Sequence, residues 1–212
     1  MTEAARIVQH LRKKYGPVAV ILHGSRAVGY ERPHSDWDLF LLFLDDPKPS
    51  VDRLEIDGQD VEWQGLRVPV PESEFLRLCG VQLQFAQVLW EDDSFAGTSL
   101  LSHASAFYAK GIQLTDAQRA TYKQYLTHKA NGMEDDIDTP YLFLRHQHIF
   151  LERASNWWFE LRGEFRKPLY VAMPTIQRRD AEYFNLLMRV ASAGTNAQKL
   201  DAARQLLSRL FG

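Results

Sequence analysis

Two aspartates, Asp36 and Asp38, stand two residues apart at the head of an apolar run, LFLLFL at Leu39–Leu44. On a strand, residues two apart project from one face, so the two carboxylates point together. Left alone they repel, and one tends to take up a proton. A divalent cation removes that conflict, and two carboxylates completed by phosphate oxygens and water form a set that magnesium favours. Upstream, another apolar run, VAVIL at Val18–Leu22, ends in His23-Gly24-Ser25-Arg26. Gly24 lets the backbone come close to a ligand, and Ser25 adds a hydroxyl and an amide. A helix starting there would contribute its free N–H groups and dipole, and Arg26 a fixed positive charge. This is a seat for phosphate oxygens. Two-metal phosphoryl chemistry calls for a third carboxylate, from a neighbouring strand. Asp60-Val61-Glu62-Trp63 offers Asp60 and Glu62 on one face. Glu62 is favoured because it lies deeper in the stretch, between Val61 and Trp63, with Asp60 as the alternate.

Elements must hold these residues in place. Ala4, Ile7, Val8 and Leu11 recur at helical spacing over residues 2–14, and Gly16-Pro17 ends that helix. Val18–Leu22, continuous and rich in β-branched residues, reads as a strand buried on both faces. Leu39–Leu44, led by Asp36-Trp37-Asp38, is a second strand, with Trp37 and Leu39 facing the core and the turn signals of Asp45–Ser50 closing it. A third strand follows the Asp57-Gly58 turn over Asp60–Val68, ended by Pro69 and Pro71. Glu72–Leu78 suits a short helix, and Phe85–Trp90 a further strand. From about Thr98 the pattern turns helical: Ala117–Lys129 capped by Thr115-Asp116, then Tyr141–Leu161, Ala181–Ala191 and Ala197–Phe211. The fold class predicted is α+β, a mixed sheet with flanking helices, followed by an all-α helical bundle. The domains are drawn at residues 1–97 and 98–212.

Composition narrows the classes. The chain has 212 residues, with 25 Lys+Arg against 27 Asp+Glu and a net charge of −2, which argues against a general nucleic-acid coat. A local basic pocket remains compatible with that sum. No apolar run approaches the roughly 18–20 residues that span a bilayer, and the N-terminus lacks signal-peptide features. A single cysteine, Cys79, rules out an intramolecular disulfide and a multi-cysteine metal site. The expectation is a cytoplasmic protein with no membrane partner.

Gly24-Ser25, ten intervening residues Arg26–Ser35, then Asp36-Trp37-Asp38, with an acidic residue on a later strand, resembles the DNA polymerase beta-like nucleotidyltransferase superfamily. The wider GSRAVGYERPHSDWDLFLLF looks like its small bacterial branch, the antibiotic-modifying (kanamycin- and lincosamide-type) and minimal nucleotidyltransferases. The resemblance covers about residues 17–68; the helical half resembles the antibiotic enzymes only in placement and character. It implies metal-dependent transfer of a nucleoside monophosphate, AMP from ATP as the expected case, to a hydroxyl of a small-molecule acceptor such as an antibiotic, with pyrophosphate leaving. Asp36, Asp38 and Glu62 would be catalytic and would ligate two Mg2+ ions, while Gly24, Ser25 and Arg26 would hold the nucleotide. The helical half would add a cation, for which Arg162, Arg166 and Lys167 are candidates, and a base, for which Glu134, Asp135, Asp136 and Asp138 are candidates. The alternatives are an AMPylating enzyme of a toxin–antitoxin type pair and a catalytically silent nucleotide-binding module. Polymerisation on a nucleic-acid primer fits poorly with the charge. The resemblance admits a homodimer, though no face declares itself an interface. Acceptor, preferred nucleotide and general base stay open.

Other residues have ordinary readings. His23 reads as a hydrogen-bonded core histidine. His146 and His148, two apart, share no helix face. Trp157-Trp158 suit the bundle core, Glu134–Asp138 a solvated loop, Arg178-Arg179-Asp180 a helix start, and Cys79 a small buried hydrophobe.

Overall fold

Thr2 opens the first helix, α1 (Glu3–Tyr15), by accepting a hydrogen bond from the Ala5 amide at 3.2 Å. Glu3 in the first turn and Arg12, Lys13 and Lys14 in the last suit the helix dipole. Gly16, at φ 65°, ends it with its amide donating to the Arg12 carbonyl. The apolar stripe Ile7, Val8 and Leu11 is buried against a five-stranded sheet.

The computed structural model describes residues 1–47, 49–79 and 82–212. These divide into two compact units, Met1–Lys110 and Gly111–Gly212. The sheet of the first unit contains β1 (Ala19–His23), β2 (Trp37–Phe43), β3 (Val51–Ile56), β4 (Gln59–Arg67) and β5 (Gln87–Glu91), in the order β3-β4-β2-β1-β5. A single helical turn, α2 (Gly24–Ala27), follows β1, and α3 (Glu72–Leu78) follows β4. Pairing is antiparallel except for β2 and β4, which run parallel.

Alternation along the strands fills two cores. Val20, Leu22, Leu39, Leu41 and Trp63 pack with α1 on one face. Ala19, Ile21, Phe40, Leu42 and Leu66 pack on the other, with Phe75 and Leu78 of α3. Trp37 and Leu39 thus anchor β2 on the α1 side, as its spacing requires, and Asp38 shares a face with Phe40 and Leu42.

Three elements differ from the sequence reading. β3, VDRLEI, is an edge strand whose alternate residues are exposed, so it carries no apolar run to announce it. Its hairpin to β4 turns at Asp57 (φ 51°) and Gly58 (φ 77°), the two left-handed residues of a type I′ turn. Lys48, inside the turn read at Asp45–Ser50, lies outside the described residues. Next, α4 (Ala96–Ala109) belongs to the first unit, although the boundary at residues 97/98 puts nearly all of it in the second. It packs Leu100 and Ala104 into the α3-side core, and its first turn is tied back to β5, where Glu91 accepts from the Thr98 amide at 2.9 Å.

The second unit is helical: α5 (Asp116–Asp135), α6 (Pro140–Glu160), α7 (Leu169–Arg179), α8 (Ala181–Ser192) and α9 (Asn196–Phe211). Thr115 with Gln118 and Thr195 with Gln198 form capping boxes on α5 and α9. The third difference is α7, which has no counterpart in the sequence reading: Arg178 and Arg179 close α7 and do not start a helix, and Asp180 caps α8. Trp158, Phe159, Phe150 and Tyr183 fill the core, and Trp157 stacks on Tyr122 with ring centroids 4.1 Å apart. Among the described residues no helix is long and apolar enough to cross a membrane.

Candidate active site

β1 runs out at His23, and the chain turns at Gly24, φ 72°, into the single turn of α2. A Cβ on Gly24 would run into the Asp38 carboxylate and lie 2.8 Å from its Cγ. Glycine is therefore required twice here, for the left-handed backbone and for the close approach of Asp38. Ser25 follows at the same point, and its carbonyl accepts the Tyr30 amide at 3.0 Å, folding the next loop back over the turn.

Arg26 governs the far end of that loop. Its guanidinium donates to the Ser35 carbonyl at 2.7 Å and the Asp36 carbonyl at 3.0 Å, and it lies over the Trp37 ring at 4.7 Å. A further bond reaches Gln59 at 3.3 Å. Expected from the sequence to bind nucleotide, Arg26 uses Nε and Nη2 on the loop carbonyls and Gln59, while its Nη1 lies 4.0 Å from Glu3. It holds Asp36 in place.

The carboxylates meet at the end of β2. Asp38 is opposite His23 across β1 and opposite Glu62 across the parallel ladder to β4. Burial raises the Asp38 carboxyl to about 6, and the charges of Asp36 and Glu62 push it the same way. No hydrogen-bond donor or cation is set against Asp38 among the described residues, yet its oxygens reach solvent. His23, stacked on Phe40 at 4.1 Å, is lowered to about 4 by burial, which outweighs the pull of Asp36. It is a neutral core histidine held by that ring, with no side-chain hydrogen bond among the described residues.

Arg53, on β3 opposite Glu62, stands at the site without having been expected from the sequence. Its Nη2 lies 3.6 Å from Asp60 and 4.0 Å from Asp36. Asp60 thus turns to a cation, while Glu62 faces Asp38. The signal that could have found Arg53 is the Asp57-Gly58 pair, which marks a hairpin and so makes the preceding segment a strand in register with Asp60–Glu62.

Gly24, Ser25, Asp36, Asp38 and Glu62 are therefore brought together at one end of the sheet. Among the described residues no three His, Cys, Asp or Glu side chains form a ready-made cage for a metal. The donor set is oxygen only, from solvent-reaching carboxylates, and Asp38 is charged at a cost its surroundings do not offset. That fits a hard divalent cation completed by water and phosphate oxygens.

Lys167 belongs to the second unit, where its ammonium is 3.7 Å from Glu164 and 5.2 Å from the Phe159 ring centre. Arg162 donates to the Trp158 carbonyl at 3.0 Å and faces Asp180. Of the acidic run, Glu134 and Asp135 are helical rather than in a loop; Glu134 pairs with Arg204 at 2.6 Å and Asp136 with His146 at 3.3 Å.

Residues 5–61 match the family described as Polymerase beta, Nucleotidyltransferase. The match takes in Gly24, Ser25, Asp36 and Asp38 and stops one residue short of Glu62. A comparison with curated proteins returns no significant match. Among similar solved structures is a nucleotidyltransferase-like protein from Exiguobacterium sibiricum 255-15, 14% identical, with 99% of this chain and 73% of that chain covered and a TM-score of 0.48. The matched segment and the residues it contains support a nucleotidyltransferase-like domain of the polymerase beta type within the first unit.

Proposed function

We propose that the chain is a metal-dependent nucleotidyltransferase that moves a nucleoside monophosphate, AMP from ATP in the first instance, to a hydroxyl of a small-molecule acceptor. The observation that carries this reading is the parallel register of β2 and β4, which sets Glu62 against Asp38 beside Gly24. Asp36 and Asp38 would hold one Mg2+, and Glu62 would complete the site of a second. Divalent cations bound there would neutralise the triphosphate and stabilise the attacking and leaving oxygens. Gly24 admits the phosphates close to the backbone, and Ser25 offers them its hydroxyl and amide. Arg26 acts indirectly, by fixing Asp36 through the loop carbonyls.

The test is label transfer. The protein is incubated with Mg2+, α-labelled ATP, GTP, CTP or UTP, and panels of aminoglycosides, a lincosamide, a cell extract or buffer. Transfer that Asp36→Ala/Asp38→Ala lowers by about a thousandfold or more supports the reading. Label on protein would move the acceptor class to polypeptide hydroxyls. Absence of both transfer and Mg·ATP binding overturns it.

A further inference from the structure

Three helices of the second unit enclose a cavity of about 450 Å³, within the range of small-molecule sites. α7 packs along α8 but barely meets α6, and the crevice opens where they part. On α6 the residues His148, Leu151, Glu152, Ser155 and Asn156 all line it, at i, i+3, i+4, i+7 and i+8 of one helix face. Across from them stand Leu169 and Met173 of α7 and Leu187 and Met188 of α8. Leu169 and Met188 remain 65% and 41% exposed, so part of this apolar wall is uncovered. Methionines make such walls adaptable in shape. Gln147 fixes the end of the crevice by donating to the Val190 and Ala191 carbonyls at 2.6 and 3.2 Å.

The polar groups decide the ligand. His148, Glu152 and Asn156 form a single row, and none has a hydrogen-bond or ion-pair partner among the described residues. Glu152 is thus a carboxylate without a counter-ion at an apolar crevice. The other charged residue of the wall, Lys167, already faces Glu164, which also holds Arg179 at 2.7 Å. We propose that this crevice binds a small organic cation: an apolar body against Leu151, Met173 and Met188, and a protonated nitrogen against Glu152, with Asn156 as a further acceptor. The site lies wholly within the helical unit and does not rest on the catalytic reading.

The experiment titrates the full chain at pH 8 with three probes of one shape, 3-phenylpropylammonium, 3-phenylpropanol and 3-phenylpropionate, by calorimetry and by methyl NMR of Met173 and Met188. The amine should bind about fivefold more tightly than the alcohol, and the carboxylate most weakly. Glu152→Gln should remove the amine's advantage and leave the alcohol unchanged. Ala191→Trp, at an exposed position of the wall, should block amine and alcohol alike with the helical circular dichroism intact. Tightest binding of the carboxylate, an amine affinity unchanged in Glu152→Gln, or binding by none of the three overturns the proposal.

Discussion

Two carboxylates, one in each unit, meet opposite treatment. Asp180, its side chain 10% exposed, caps α8 by accepting from the Tyr183 amide at 3.1 Å. It also accepts from Arg209 at 2.7 and 3.1 Å, and from the Trp158 indole and Arg162 at 3.5 Å. Burial alone would push its pKa up, but these donors outweigh it and hold the group below the ordinary carboxylate range. Asp38 has no such company. Burial and the charges of Asp36 and Glu62 all raise it. A fold can satisfy a buried carboxylate with its own cations, as at α8, or leave it for a cation from outside. The first choice serves stability, and the second leaves a binding site.

That contrast can be broken by substitution. Asp180→Ala removes a cap and leaves two arginines facing an empty socket, so urea denaturation should show a loss of about 2–3 kcal/mol. Binding of Mn2+ by the first unit should not change. A loss below about 1 kcal/mol would mean that Asp180 is as weakly held as Asp38.

Asp38→Asn should act in the opposite direction. In the folded chain the carboxyl titrates near 6, and in the unfolded chain near 3.8. Its stabilising contribution is full below the lower value and gone as pH rises through the upper one. Asparagine cannot ionise, so the metal-free variant should gain on the wild type between about pH 5 and pH 7, by about 1 kcal/mol once solvent screening is allowed for. His23 carries the other sign, its pKa falling from 6.5 to about 4. Its contribution is present above the unfolded value and lost as pH falls, so acid lability should persist in Asp38→Asn. Thermal melts across this range check both, and a variant less stable than wild type at pH 7 would refute the account of Asp38.

The smallest effect belongs to Arg53. Its guanidinium, 60% exposed, partly neutralises Asp36 and Asp60. Arg53→Gln should therefore tighten Mn2+ binding by about threefold, an effect that fades in high salt. Unchanged or weaker binding would show that Arg53 does not compete with a cation.

How much of this could be read from the chain depends on how local each signal is. Gly24-Ser25 and Asp36-Trp37-Asp38 are short contiguous groups, so their types and spacing are legible in the sequence, and the structure brings them to one end of the sheet. The apolar runs of β1 and β2 are likewise local. The pairing of Glu62 with Asp38 is not, because a parallel register is set by tertiary contacts across an intervening strand. Choosing Glu62 over Asp60 needed depth within the stretch, and the structure adds that Asp60 turns to Arg53. β3 hid because an edge strand tolerates VDRLEI, whose polar residues resemble a loop. Arg26 was legible only in part: its charge beside Gly24-Ser25 suggests an anion, and only the loop's return shows that carbonyls also take its donors. The helical half spoke through a cap at Thr115 and apolar periodicity, which locate α5, α6, α8 and α9 but say nothing of the crevice that α6, α7 and α8 line.

The central claim is that the Asp36–Asp38–Glu62 end of the sheet is a cation and triphosphate site. The most direct measurement is calorimetric titration of the full chain with Mn2+ and a non-hydrolysable ATP analogue, in parallel with Asp36→Asn/Asp38→Asn. Saturable binding by the wild type, lost in the double variant while its melting temperature is kept or raised, is the predicted result. Equal binding by both chains, or none by either, would contradict it.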